Sequence, residues 1–202
     1  MPNPNLTDIN FLLDNSGSMI SMQSEPIDGY NQFIKDQNDP TLGAANVSLT
    51  LFGTHVVPVY EGVPVNEVPP LDNTVYRANG MTCLRDAIGQ SIIKIGARLA
   101  ALPEHERPGK VLLTVLTDGE DTSSVEFSTD QIAAMIKEQT EKYNWTIDFM
   151  GTTAASITSA KSYGIAAAST TMYANDSSGL SRGYADTSLR TKALRTSGTA
   201  SA

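Results

Sequence analysis

Ile9-Asn-Phe-Leu-Leu13 runs straight into Asp14-Asn15-Ser16-Gly17-Ser18, and far downstream Val111-Leu-Leu-Thr-Val-Leu-Thr117 runs into Asp118-Gly119. Short apolar runs rich in branched residues and bounded by Gly, Pro and Asp read as strands buried on both faces of a parallel sheet. Each of these strands therefore delivers an aspartate at its C-terminal tip. A third run, Trp145-Thr-Ile-Asp-Phe-Met150, ends at Gly151, and a weaker one covers Ile165 to Tyr173.

Between the runs the apolar period lengthens to that of a helix. Leu84, Ile88, Ile92, Ile95, Leu99 and Leu102 follow helical spacing until Pro103 stops them. Ser128 and Gln131 form a capping box ahead of Ile132, Met135 and Ile136, which predicts a helix to about Tyr143. Ile27, Tyr30, Phe33 and Ile34 mark a helix after the first strand. Ala155 to Tyr163 marks another, closed by Gly164. A last helix over residues 177–195 would rest on Leu180, Tyr184, Leu189 and Leu194.

One segment breaks the alternation of strand and helix. Val47, Leu49 and Leu51 alternate with Ser48 and Thr50, and Gly53-Thr54 leads at once into His55-Val-Val-Pro-Val-Tyr60. Strands joined so closely must be antiparallel, because a parallel crossover needs a dozen residues or more. Pro58 suits an edge strand, where its missing N–H leaves no ladder bond empty, and Gly62 to Leu71 reads as an ordered surface loop. The expected fold is α/β: a doubly wound, mostly parallel six-stranded sheet in the order 3-2-1-4-5-6, with one antiparallel edge strand. Residues 1–195 form one domain in this reading, and residues 196–202 a flexible tail.

Composition agrees with a single packed core, since 40% of the 202 residues are hydrophobic and 18% charged. A formal charge of −8 argues against nucleic acid, whose backbone is gripped by Lys and Arg displacing counterions. The N-terminus lacks a basic stretch followed by an apolar one, and no segment has the run of apolar residues a membrane span needs. A lone cysteine, Cys83, cannot form an internal disulfide. A cytoplasmic protein is the expectation.

In open α/β sheets, ligands bind outside the C-terminal ends of the strands. Asp14, Ser16 and Ser18 put a carboxylate and two hydroxyls into one tight loop there, all hard oxygen donors. A magnesium-like ion takes about six oxygens, keeps several waters and uses one or two carboxylates, which this loop can supply.

The spacing Asp-x-Ser-x-Ser after an apolar strand resembles the von Willebrand factor A family, whose metal-ion-dependent adhesion site opens with that motif. The family adds a threonine from a later loop and an aspartate from the fourth strand. Here Gly80-Met81-Thr82-Cys83-Leu84 offers Thr82, and Leu116-Thr117-Asp118-Gly119 offers Asp118. The resemblance covers about residues 7 to 175 and is greatest to stand-alone A-domain proteins of bacteria and their phages. It implies a Rossmann-like fold and a metal centre of Asp14, Ser16, Ser18, Thr82 and Asp118. Ser16 and Ser18 would touch the ion, Thr82 would bind directly or through water, and the two aspartates would act mainly through water. The ion would be magnesium or manganese, with calcium a further candidate. Its open position would receive an Asp or Glu of a protein partner, and residues 19–26, 62–81 and 119–128 would surround it.

Plainer readings stand beside these. Asp-x-Ser-x-Ser alone is as well explained as a helix cap, and only Thr82 and Asp118 shift the balance. Glu120 and Asp121 read as a solvated loop, and Asp86 as a complement to the dipole of its helix. His55 and His105 lack any Cys or His at zinc spacing. Cys83 reads as a buried structural thiol, and Met19, Met22 and Met81 as core filler or an adaptable rim. The chain lacks the phosphate loop, dinucleotide fingerprint, nucleophile elbow and Asp-x-Asp motif of common enzymes, so a binding module is expected rather than an enzyme. The alternatives are a structural subunit of a phage particle or other assembly, stapled by its metal, and a magnesium-dependent hydrolase or phosphotransferase.

Overall fold

The computed structural model describes residues 1–197. Six strands, β1 (Asn3–Asp14), β2 (Ala44–Phe52), β3 (Val56–Pro64), β4 (Pro108–Thr117), β5 (Thr146–Gly151) and β6 (Thr170–Met172), form one sheet in the order β3-β2-β1-β4-β5-β6. All neighbours are parallel except β2 and β3, whose antiparallel pairing brings Thr50 opposite Pro58 on the outer strand. The expected order and the single antiparallel edge are both present.

The central strands are mostly apolar because both faces are covered. Along β1, Ile9, Phe11 and Leu13 enter one core with α1 (Glu25–Gln37) and α5 (Ser177–Thr196). Leu12 enters the other, with α2 (Leu84–Ala101), α3 (Thr129–Tyr143) and α4 (Ala154–Ser162). This is the period-two alternation of a strand between two helical layers. Phe11 lies 5.3 Å from the Tyr30 ring, 5.4 Å from Phe33 and 5.9 Å from Tyr184, which ties α1 and α5 to the middle of β1. Ser128 caps α3 through the capping box read from the sequence, and Gly164 closes the turn after α4 at φ +74°.

Four expectations need correction. The loop expected over Gly62 to Leu71 is ordered differently: Gly62 to Pro64 complete β3, Val65–Glu67 make a 3-10 turn, and Leu71 is buried. The strand expected over Ile165 to Tyr173 shrinks to Thr170–Met172, because Ala167–Ser169 form a 3-10 turn instead. In α5, Leu180 and Tyr184 are buried but Leu189 is 64% exposed, while Thr187, Ser188, Thr191 and Arg195 are buried in its place. Arg195 donates to the carbonyls of Gln37 and Gly43, and so caps the C-terminal end of α1. Of the tail expected over residues 196–202, Thr196 is the last residue of α5, and residues 198–202 lie outside the described residues.

Candidate metal centre

β1 and β4 are adjacent and parallel, with Leu13 in register with Leu116, so their tips arrive side by side. Asp14 is the last residue of β1 and Asp118 follows β4 directly. The chain after Asp14 turns tightly because the Ser16 N–H donates to Asp14 Oδ1 at 2.7 Å. That turn aims the two serine hydroxyls back at the strand tips. Ser16 Oγ and Ser18 Oγ lie 3.1 Å apart, and Ser18 Oγ donates to Asp118 Oδ1 at 2.6 Å.

Thr82 arrives from the loop ahead of α2, which is stitched to its neighbours by backbone. The Gly17 N–H donates to Gly80 O at 3.0 Å, Asn79 N–H to Asn15 O at 2.8 Å, and Cys83 N–H to Gly53 O at 2.8 Å. Gly80 sits at φ +75°, where a Cβ would lie 2.2 Å from Thr54 Oγ1, so the crossing of these loops needs a residue without a side chain. A Cβ built on Gly119 would lie 3.6 Å from Thr82 Oγ1 and 3.8 Å from Ser18 Oγ, so both hydroxyls face the start of the β4–α3 loop. The structure thus brings Asp14, Ser16, Ser18, Thr82 and Asp118 together at one end of the sheet.

The electrostatics of the cluster are unusual. Asp14 is fully buried and Asp118 is 4% exposed, and among the described residues neither has an ion-pair partner. Burial pushes the Asp14 carboxyl up to about 6, against the opposing hydrogen bonds from Ser16 and Thr117 and with a smaller push from Asp118. Burial raises Asp118 as well, the Ser18 hydroxyl working the other way. Buried carboxylates are ordinarily paired with a cation or coordinate a metal. Among the described residues no group of three or more His, Cys, Asp or Glu side chains could hold a metal, so a cation here would rest on hydroxyl oxygens with two carboxylates close by. That donor set fits a hard divalent ion.

Several residues that hold the cluster were not visible as site residues in the sequence. Thr117 Oγ1 donates to Asp14 Oδ2 at 2.5 Å, and Tyr76 Oη donates to Asp14 O at 2.8 Å. The Thr82 loop is clamped by the loop after Asp118: Thr122 Oγ1 accepts from Thr82 N–H at 2.9 Å, while Thr122 N–H and Ser123 N–H donate to Thr82 O. Asp86 is not merely a complement to a helix dipole, since its carboxylate accepts the N–H groups of Val125, Glu126 and Phe127. Nor is Asp121 solvated: its side chain is 6% exposed, accepts from the Arg85 N–H at 2.7 Å and faces the Arg85 guanidinium at 3.5 Å. Glu120 is exposed, as are His55 and His105. Cys83 is buried, and burial with Asp86 nearby pushes its thiol up to about 11. Met19 and Met22 belong to the core, whereas Met81 is 50% exposed.

No family model and no curated protein matches the chain by sequence. Solved structures match it in fold. The PilB minor pilin from Streptococcus sanguinis superposes with a TM-score of 0.67 at 14% identity, covering 93% of this chain and 62% of that one. A von Willebrand factor type A protein from Catenulispora acidiphila gives 0.58 at 18% identity, covering 92% and 42%. The manganese-loaded Plasmodium vivax TRAP protein gives 0.61 at 15% identity, covering 95% and 75%. The chain therefore spans less than two thirds of the first two. Its fold is that of von Willebrand factor A domains. Among the described residues no helix is long and apolar enough to cross a membrane.

Proposed function

We propose that the chain is a divalent-cation-dependent binding module, which takes a carboxylate of a protein partner at the strand tips through magnesium or manganese. The observation that carries this reading is a pair of buried carboxylates, Asp14 and Asp118, with no cation of their own beside the Ser16 and Ser18 hydroxyls. Ser16, Ser18 and Thr82 would touch the ion, and Asp14 and Asp118 would neutralise it from behind. When bound, the ion supplies a Lewis-acidic position for an anionic oxygen. Thr117 and Tyr76 hold Asp14 in place, and the Thr122 clamp holds Thr82. The likeness to a manganese-loaded protein supports a divalent ion. Binding rather than catalysis is favoured because the Ser16 hydroxyl is hydrogen-bonded to another serine and the Cys83 thiol is buried.

Calorimetric titration with magnesium and with manganese tests the reading. The chain should bind one ion, and Asp14→Ala or the Ser16→Ala, Ser18→Ala double variant should abolish binding while a cooperative melt remains. A native chain that takes up neither ion would overturn the proposal.

A further inference from the structure

The loops around the cluster carry exposed apolar side chains on a rigid frame. Ile20 is 64% exposed just after Ser18, Met81 is 50% exposed beside Thr82, and Val125 is 90% exposed on the loop that follows Asp118. Isolated apolar residues on a surface need no explanation. Here, however, each of the three loops that builds the cluster contributes one, and the chain spends buried polar groups on holding them in place. Val125, Glu126 and Phe127 donate their N–H groups to Asp86, which is 5% exposed, and the Phe127 ring packs where a Cβ on Gly89 would stand. The Met81 N–H donates to Thr54 Oγ1 at 3.0 Å. Ile20 lies in the 3-10 turn Gly17–Met22, anchored below by buried Met19 and Met22. Loops whose backbone is held in this way lose little backbone entropy when a partner covers them, which is how preorganised surfaces gain affinity.

The charges of the same rim restrict the partner. Asp72, Glu120 and Glu126 are exposed there against a single exposed Arg77. A partner presenting several acids would be repelled by this rim, whereas one acid among apolar and basic neighbours would not.

Resting on the carboxylate reading above, we infer that Ile20, Met81 and Val125 form an apolar collar that selects a protein segment carrying one Asp or Glu flanked by large apolar side chains, with basic rather than acidic residues further out. Selection from a displayed library of random short peptides, bound in magnesium and eluted with EDTA, tests this directly. The eluted pool should be enriched in a lone carboxylate flanked by Leu, Ile, Val or Phe, with Lys or Arg beyond them. A selected peptide should bind the Ile20→Ser, Met81→Ser, Val125→Ser triple variant about tenfold more weakly, since covering such side chains contributes an effect of that order. The triple variant should keep the magnesium affinity and the melting temperature of the native chain, because all three side chains face solvent. A pool enriched in carboxylates with no apolar preference, or equal affinity for the triple variant, overturns the collar and leaves the carboxylate reading standing. A pool without carboxylate enrichment over a selection done in chelator overturns both.

Discussion

Asp8 and Asp14 lie on the same strand, share its parity and are both essentially buried, at 1% and 0% exposure, yet the chain treats them in opposite ways. At the base of β1, Asp8 is gripped by both terminal guanidinium nitrogens of Arg98, at 3.0 and 2.8 Å, and by Asn10 Nδ2 at 2.8 Å. On β5 Asp148 likewise meets Arg190 at 2.9 Å. At the tip of β1, Asp14 receives a backbone N–H and the hydroxyls of Ser16 and Thr117, with no arginine or lysine. A chain that pairs Asp8 and Asp148 with arginine leaves Asp14, among three hydroxyl-bearing loops, without a cation. The difference separates an acid that belongs to the fold from one that waits for a cation.

The largest expected effect lies at the base. Arg98→Met leaves Asp8 buried without its counter-charge, and breaking a buried pair in this way costs about 3–5 kcal/mol. Denaturant unfolding should show a loss of that size. Adding Asp8→Leu should recover most of it, because an apolar pair can replace a buried ion pair at little cost. A loss in the single variant below about 1 kcal/mol would mean that water already reaches Asp8 and that the two acids differ less than their burial suggests.

At the tip the sign reverses. The Asp14 carboxyl has an ordinary value of 3.8 and rises to about 6 in the folded, metal-free chain, chiefly through burial. A raised folded value means that the folded state holds its proton more tightly than the unfolded one. The contribution to stability is then fully present below 3.8 and is lost as pH rises through about 6. At neutral pH the loss is on the order of 3 kcal/mol, at 1.36 kcal/mol per unit. Metal-stripped protein should therefore lose stability between about pH 4 and pH 7 relative to an Asp14→Asn variant, which should be the more stable of the two at pH 7 although it binds no magnesium. Saturation with magnesium should remove this pH dependence from the native chain. Identical pH profiles for the stripped native chain and Asp14→Asn would show that the tip acid is not uncompensated after all.

The contrast between tip and base also decides what could be read from sequence. The central strands were legible because burial on both faces leaves near-continuous apolar runs, and Asp14, Ser16 and Ser18 because their geometry is local. The second half of α5 was harder to read, since its inward face there is Thr187, Ser188, Thr191 and Arg195 while Leu189 points to solvent. No amphipathic pattern announces a helix that docks through hydrogen bonds such as those of Ser188 with Gln37 and Asp36. The supports of the site were hidden for a different reason. Thr117 adjoins Asp118 in sequence yet serves Asp14, and Asp86 and Asp121 act on backbone N–H groups far along the chain. Nothing in the spacing of such pairs records that they meet. Asp121 read as solvated because its partner, Arg85, is supplied by the fold.

The smallest expected effect concerns one of those hidden supports. Thr122 Oγ1 accepts the Thr82 N–H at 2.9 Å, while the neighbouring bonds from Thr122 N–H and Ser123 N–H to Thr82 O run through backbone and survive any side-chain change. Thr122→Val keeps the shape and removes the hydroxyl, which accepts the Thr82 N–H and also donates to Thr82 O at 3.4 Å. Thr122 itself is exposed, so water can reach the freed N–H and the cost to folding should be about 1 kcal/mol or less. The consequence for the site should be larger than that for the fold, because a ligand hydroxyl held in the wrong rotamer or height costs affinity even when the loop stays closed. Groups that orient metal ligands from behind typically change affinity by about tenfold or more when removed. With the backbone bonds intact, a weakening of magnesium binding by about threefold to tenfold is expected. Thr122→Ser should restore the native value, since it returns the acceptor without the methyl group. Calorimetry and thermal melts on the two variants separate the possibilities. A fall in melting temperature that matches the fall in magnesium affinity would make Thr122 a support of the fold only, and an unchanged affinity in Thr122→Val would remove it from the site altogether.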